Sequence, residues 1–176
     1  PGGTAWLPAS NTFLATWWDG ASSIMIRSVG TGGPTGTAVA MTAADTQEMP
    51  EIACGPTTCL VVGRTWDQVI WGRWLIPGGL TFGARFTIEQ GAGTREMARA
   101  AYSSTIGTYT VAWARGGIPQ TTTLPVGGTT VGTIQPVVAG RVGTQLDLAF
   151  NVGLNVFGIA AQGNASDIWA QGLDSV

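Results

Sequence analysis

The sequence predicts an all-β fold, a β-propeller region of about four blades whose last blade lacks its outer strand. Three observations carry this reading. An Ala followed by a large or apolar residue recurs at Ala5-Trp6, Ala53-Cys54, Ala101-Tyr102 and Ala149-Phe150, at an interval of 48 residues each time. Each interval holds a succession of short apolar runs separated by Gly-rich turns, and four strands within a period in the forties mark one propeller blade. Composition agrees: 27 Gly and abundant β-branched residues leave little room for a long helix.

The units fall at about 1–48, 49–96, 97–144 and 145–176, within a single domain. The first strand of each carries the recurring Ala. The second reads Phe13-Leu14-Ala15-Thr16-Trp17, Cys59-Leu60-Val61-Val62-Gly63, Tyr109-Thr110-Val111-Ala112-Trp113 and Val156-Phe157-Gly158-Ile159-Ala160. The third reads Ile24 to Arg27, Ile70 to Arg73, Gln120 to Thr123 and Ile168 to Gln171. A fourth appears three times, around Val39-Ala40-Met41, Arg85 to Ile88 and Gln135 to Val138. The passage between units also echoes, Gln47-Glu48-Met49 against Arg95-Glu96-Met97. A β-sandwich has regular short strands too, but not self-similarity at one interval. The fourth unit stops after its third strand. Unpaired edges are a liability that closed propellers avoid. We therefore expect another copy, or another segment, to complete the propeller.

Charged residues make up only 10% of the chain, well under the usual quarter, while 44% are apolar, the reverse of a disordered composition. A net charge of −2 offers no basic field for nucleic acid. No apolar run reaches the length of a membrane-spanning helix. The opening Pro1-Gly2-Gly3 fits a mature or excised segment. All eight basic residues are Arg, and His is absent. Without His the chain lacks the commonest general base and metal ligand, and both Ser-His-Asp and Cys-His nucleophile systems.

The two cysteines flank Gly55-Pro56-Thr57-Thr58, turn material between two apolar strands. The spacing predicts a Cys54–Cys59 disulfide across a hairpin, and with it an oxidising compartment. Two reduced core thiols are the alternative. A zinc site lacks ligands, and the spacing is not the redox Cys-x-x-Cys.

The stretches Pro50-Glu51-Ile52-Ala53-Cys54, Cys59-Leu60-Val61-Val62 and Asp167-Ile168-Trp169-Ala170 resemble β-propeller repeats of secreted bacterial proteins, over nearly the whole chain. The sequence departs from that pattern at Gly63 and Ala160, where the second strand usually carries Trp, and in the Thr-rich third strand of unit three. The resemblance implies an extracellular module and no particular reaction.

Recurrence separates packing residues from candidates for function. Trp17 and Trp113 share one repeat position, and Trp71 and Trp169 another, as packing between blades demands. Trp6, Tyr102 and Phe150 belong to the innermost strand. Trp18, Trp66 and Trp74 do not recur; Trp18 aligns with Arg64, Ala114 and Ala161. Trp18-Asp19 and Trp66-Asp67 enter loops after the second strand. Glu48, Glu51, Glu96, Arg99 and Asp147 lie in or just after the passages between units, on the same face of an up-and-down blade. An aromatic ring beside a carboxylate stacks on a sugar's apolar face and accepts its hydroxyl hydrogens. The candidate ligand residues are thus Trp18, Asp19, Trp66, Asp67, Glu48, Glu96 and Arg99. A solvated loop with Trp folded over the core is the competing reading. Arg27 and Arg73 recur with Gln171 at one third-strand position, which favours a hydrogen bond at the blade edge over anion capture.

Neither the Asp-box of sialidases nor a calcium loop is present. No cofactor or metal is expected. The expected function is a non-catalytic extracellular binding or adhesion module, secreted or at the cell surface, with a glycan as candidate ligand. Part of a secreted glycan-active enzyme, using acids such as Glu48, Glu51, Glu96 and Asp147, is the alternative. A purely structural assembly unit is the third.

Overall fold

In the computed structural model, residues 1, 22, 42–46, 138–142, 164–166 and 175–176 are left undescribed; all others are described. They form four antiparallel sheets in chain order. The first is β1 (Gly2–Leu7), β2 (Thr12–Trp18), β3 (Ile24–Gly30) and β4 (Gly33–Ala40). The second is β5 (Gln47–Cys54), β6 (Cys59–Thr65), β7 (Ile70–Ile76) and β8 (Thr81–Glu89). The third is β9 (Arg95–Ser103), β10 (Thr108–Arg115), β11 (Ile118–Pro125) and the two-residue β12 (Gln135–Pro136). The fourth has three strands, β13 (Gln145–Asn151), β14 (Val156–Gln162) and β15 (Ile168–Asp174). Each sheet is a meander, so strand order equals chain order, as blade-like repetition requires.

The first strands stand side by side: β5 packs against β1 and β9, and β9 against β13. They are the inner strands around a common axis. No substantial contact joins β13 back to β1, so the four blades form an open arc.

Three hydrophobic cores fill the three joints between successive blades, and side-chain alternation sends neighbouring residues into different ones. Along β6, Cys59 and Val61 face blade one with Leu7, Leu14 and Ile26, while Leu60 and Val62 face blade three with Val111 and Trp113. The joint between blades three and four sets Ala101, Ala112 and Ala114 against Leu148, Phe157 and Ile159.

The register explains the departures at the second strand. Trp17 pairs with Met25, Gly63 with Trp71, Trp113 with Gln120 and Ala161 with Trp169. Each blade holds one indole at this cross-strand pair, on the second strand or on the third. Gly63 is small because the buried Trp71 lies over it: a Cβ there would sit 2.5 Å from Cζ2 of Trp71. The small residue of blade four is Ala161 rather than Ala160, and Trp18 is level with Gln162 rather than Ala161. Trp71 and Trp113 are fully buried, as a packing role demands, whereas Trp17 and Trp169 are half-buried.

One turn further out, aromatic pairs Trp6–Phe13, Tyr102–Tyr109 and Phe150–Phe157 lie directly across the first hairpin, with ring centroids 4.8–4.9 Å apart. In blade two the same pair is Cys54–Cys59, and it is a disulfide. Its hairpin is then gripped by the next blade. The Tyr109 hydroxyl accepts from the Gly55 N–H at 2.8 Å and donates to the Thr58 carbonyl at 2.6 Å. Burial raises the Tyr109 pKa, so the hydroxyl keeps the proton it donates. Reduction of this bond is expected to lower stability by about 2 kcal/mol, from the chain entropy of a short closed loop. Urea midpoints with and without reductant measure it; identical midpoints contradict it.

Arg27 and Arg73 sit where the third and fourth strands lose register. Arg27 Nε donates to the Gly36 carbonyl at 3.0 Å and Arg73 Nε to that of Gly83 at 2.6 Å. Arg73 also reaches the Met41 carbonyl of blade one. The recurrence is therefore structural, as its position suggested. The fourth strand of blade three is the outlier. After Pro125 the chain leaves the sheet, and Val131 and Ile134 pack on the core instead. Trp74, which does not recur, is core as well: its Nε1 donates to the Gly128 carbonyl at 2.9 Å.

Candidate functional site

The inner strands bring equivalent residues together around the axis. Gly3, Glu51, Arg99 and Asp147 are spaced by 48 and form one tier. Arg99 Nη1 lies 3.3 Å from Glu51 Oε2, and Arg99 Nε donates to the Leu146 carbonyl at 3.0 Å. Burial raises the Glu51 pKa, opposed by the Arg99 charge and the Ile52 N–H, while Asp147 raises it further. Glycine at position 3 leaves room for the Glu51 carboxylate, whose Oε1 would lie 2.5 Å from a Cβ there. Arg99 thus serves the axis as an ion-pair partner.

One tier above, Met49, Met97 and Gln145 share the next repeat position and line the mouth of the axis. Bulges interrupt the pairing of the inner strand at Glu48/Glu51 and opposite Ala112/Ala114, beside both methionines. Met49 is left-handed, with φ 53°, an uncommon conformation for a residue with a side chain. Bulges and such backbone recur beside binding sites, where they re-aim side chains. With Arg64, Gln68, Thr94, Arg95, Glu96 and Thr144, these residues enclose a pocket of about 340 Å³.

Its wall is fixed from behind. Arg64 Nη1 donates to the Arg95 carbonyl at 2.5 Å, and the Arg95 N–H donates to Gln68 Oε1 at 2.8 Å. The Arg95 side chain runs inward and is 1% exposed. Its Nε donates to Glu89 Oε2 at 2.9 Å, and its Nη1 to the carbonyls of Gly91 and Gly93, each at 3.0 Å. Both glycines have positive φ, which lets the short loop fold around the guanidinium. Glu89, 6% exposed, also accepts from Trp113 Nε1 and Arg115 Nη1, each at 2.5 Å.

The candidates read from sequence divide accordingly. Glu96 lines the pocket, half-buried. Trp66, 50% exposed, and the exposed Asp67 occupy the turn that carries Gln68. Trp18 is half-buried with its indole N–H enclosed and without a partner, and Asp19 caps its own turn through the N–H groups of Ala21 and Ser23 at 2.8 and 3.1 Å. Neither lines this pocket. The Glu48 side chain lies outside the described residues. Sequence reasoning missed Arg64 and Gln68, which do not recur, and Met49, Met97 and Gln145, whose signal was the 48-residue spacing itself. A hollow of about 560 Å³ at the opposite end, between the hairpins of blades one and two, has no charged lining residue. Among the described residues, no three His, Cys, Asp or Glu converge as a metal site, and no helix is long and apolar enough to cross a membrane.

No protein-family model matches the chain, and no curated protein sequence is similar to it. Solved structures are. The chain is similar to TolB from Acinetobacter baumannii at 13% identity and TM-score 0.63, covering 99% of this chain and 41% of that one. It is similar to the WD40 domain of Toxoplasma gondii coronin at 11% identity and TM-score 0.62, covering 96% and 43%. The Dos1 propeller follows at 8% and 0.60, covering 98% and 47%. At these identities the likeness concerns the fold alone. The chain is a partial propeller, spanning less than half the length of each of these structures.

Proposed function

We propose that this chain is a non-catalytic extracellular binding module whose ligand sits at the mouth of the propeller axis, and that the ligand is a glycan. The observation that carries the reading is the polar and methionine-lined pocket above the inner strands, with the exposed Trp66 on the turn that supplies Gln68 to its lining. Arg64, Gln68, Glu96 and Gln145 supply hydrogen-bond donors and acceptors and the methionines an adaptable apolar surface, while the exposed Trp66 stands two residues from Gln68 on the same turn. That mix suits a sugar, which has both hydroxyls and an apolar face. The Cys54–Cys59 disulfide supports a secreted or cell-surface location.

The test is binding to an array of polysaccharides, then to the best of them by calorimetry. Trp66→Ala is expected to weaken binding roughly tenfold, about 1.4 kcal/mol, with melting nearly unchanged because the side chain is exposed. Glu96→Gln should weaken it too. Trp18→Ala serves as the contrast: being half-buried, it should lower the melting temperature first. Absence of binding to every glycan, or equal binding by Trp66→Ala, removes the reading.

A further inference from the structure

We infer that the joint between blades three and four holds a second ligand site, separate from the axial pocket, for a small uncharged molecule with several hydroxyls and one apolar face, such as a single sugar residue. The inference does not rest on the axial reading.

The side chains that meet at this joint differ from those of the joint before it. In blade two, Leu60 pairs with Trp74 across the second and third strands, and both are buried in the core shared with blade three. In blade three the same register position holds Thr110 paired with Thr123. Thr110 follows Tyr109 as Leu60 follows Cys59, one step beyond the hairpin pair. Alternation along β10 sends Val111 towards blade two and Ala112 towards blade four, so Thr108 and Thr110 face blade four. Thr121 and Thr123, their neighbours on β11, face the same way.

Two threonines fill less space than leucine and tryptophan, and the pairing of the short β12 with β11 stops at Thr121. A hollow of about 320 Å³ results. Thr110 and Phe157 are buried, at 4% and 1% exposure, whereas Thr123, Thr133 and Gln135 are exposed, so the hollow runs from solvent into the joint. One wall presents threonine hydroxyls and the Gln135 amide; the other is Phe157 and Leu173 of blade four. No lining residue is charged. Among the described residues, Thr110 Oγ1 is buried without a hydrogen-bond partner, as is Thr108 Oγ1 on the same face. Buried polar groups are nearly always paired, so an orphan hydroxyl turned towards a hollow marks a place for an outside partner. An ion would leave water for a lining that has no opposite charge. A wholly apolar molecule would leave the threonine hydroxyls unpaired. A neutral polyhydroxylated ring satisfies both walls, its hydroxyls towards the threonines and its apolar face on Phe157.

The test is an NMR titration of the isotope-labelled 176-residue chain with free glucose, galactose, mannose and xylose. At least one of them is expected to give saturable shifts of the Thr110, Thr121 and Thr123 amides. Thr123→Trp copies Trp74 at an exposed position, and is expected to fill the hollow and abolish those shifts with unchanged circular dichroism. Thr110→Val should weaken binding at least tenfold without lowering the sugar-free melting temperature, because it removes a hydroxyl that no protein group pairs. If Thr123→Trp perturbs the fold, Thr110→Val alone decides. The inference is overturned by an absence of saturable shifts at these amides with all four sugars, or by binding that survives Thr123→Trp in a folded protein. It is equally overturned if Thr110→Val melts lower without sugar, the outcome expected of a hollow built for ordered water only. Shifts confined to Gln68 and Glu96 belong to the axial pocket; they uphold the module reading and defeat this second site.

Discussion

Replacing Glu89 by Ala is expected to destabilise the protein by about 3–5 kcal/mol, the usual cost of leaving a buried charge unpaired. The carboxylate is the only charged partner of the fully buried Arg95 guanidinium among the described residues, and it also holds Trp113 Nε1 and Arg115. Arg115 is 45% exposed and can return to water; Arg95 cannot. With a denaturation slope of about 2 kcal/mol per molar urea, the midpoint should fall by roughly 2 M. Removing charge from both sides with Glu89→Leu and Arg95→Met should recover a large part of the loss, since well-packed apolar replacements of buried ion pairs are often neutral. A single Glu89→Ala variant within about 0.5 kcal/mol of the parent contradicts the account. Because Arg95 also frames the axial pocket, the same variant should lose ligand.

The second large effect concerns the indole that changes strand from blade to blade. Gly63→Val is expected to cost about 3 kcal/mol, the upper end for overpacking, because its Cβ would collide with the ring of a fully buried Trp71. The remedy is to move the indole. Gly63→Trp with Trp71→Met copies the Trp17–Met25 arrangement of blade one, and should be more stable than Gly63→Trp alone. Residues in contact couple by about 0.5–3 kcal/mol, and a thermal-melt cycle over the four proteins measures that coupling. Strict additivity rules out the shared-volume explanation.

The repeat phase made most of the fold legible. Ala5, Ala53, Ala101 and Ala149 mark the inner strands, and the short fourth unit appears as a sheet without its outer strand. The disulfide was legible because its spacing matches a hairpin. The site was less so. Glu89 stands 48 residues from Met41 and from Val137, so nothing in the repeat marks it as the partner of Arg95 and Arg115. Arg64 and Gln68 take their roles from contacts with the next blade, across 27 residues or more of chain. Spacing identified Trp18 as unusual but could not show that its indole is enclosed.

The sharing of β6 between two cores has a consequence for how pairing errors are corrected. Cys59-Leu60-Val61-Val62 is an unbroken apolar run, so a polar–apolar rhythm does not set its alignment. Sliding β6 by one residue would exchange Leu60 and Val62 with Cys59 and Val61, and so mismatch the filling on both sides of the sheet at once. It would also separate the cysteines and move Gly63 from beneath Trp71. Alignment is thus enforced by size and by one covalent bond, where a half-exposed sheet would rely on water to reject the slipped state.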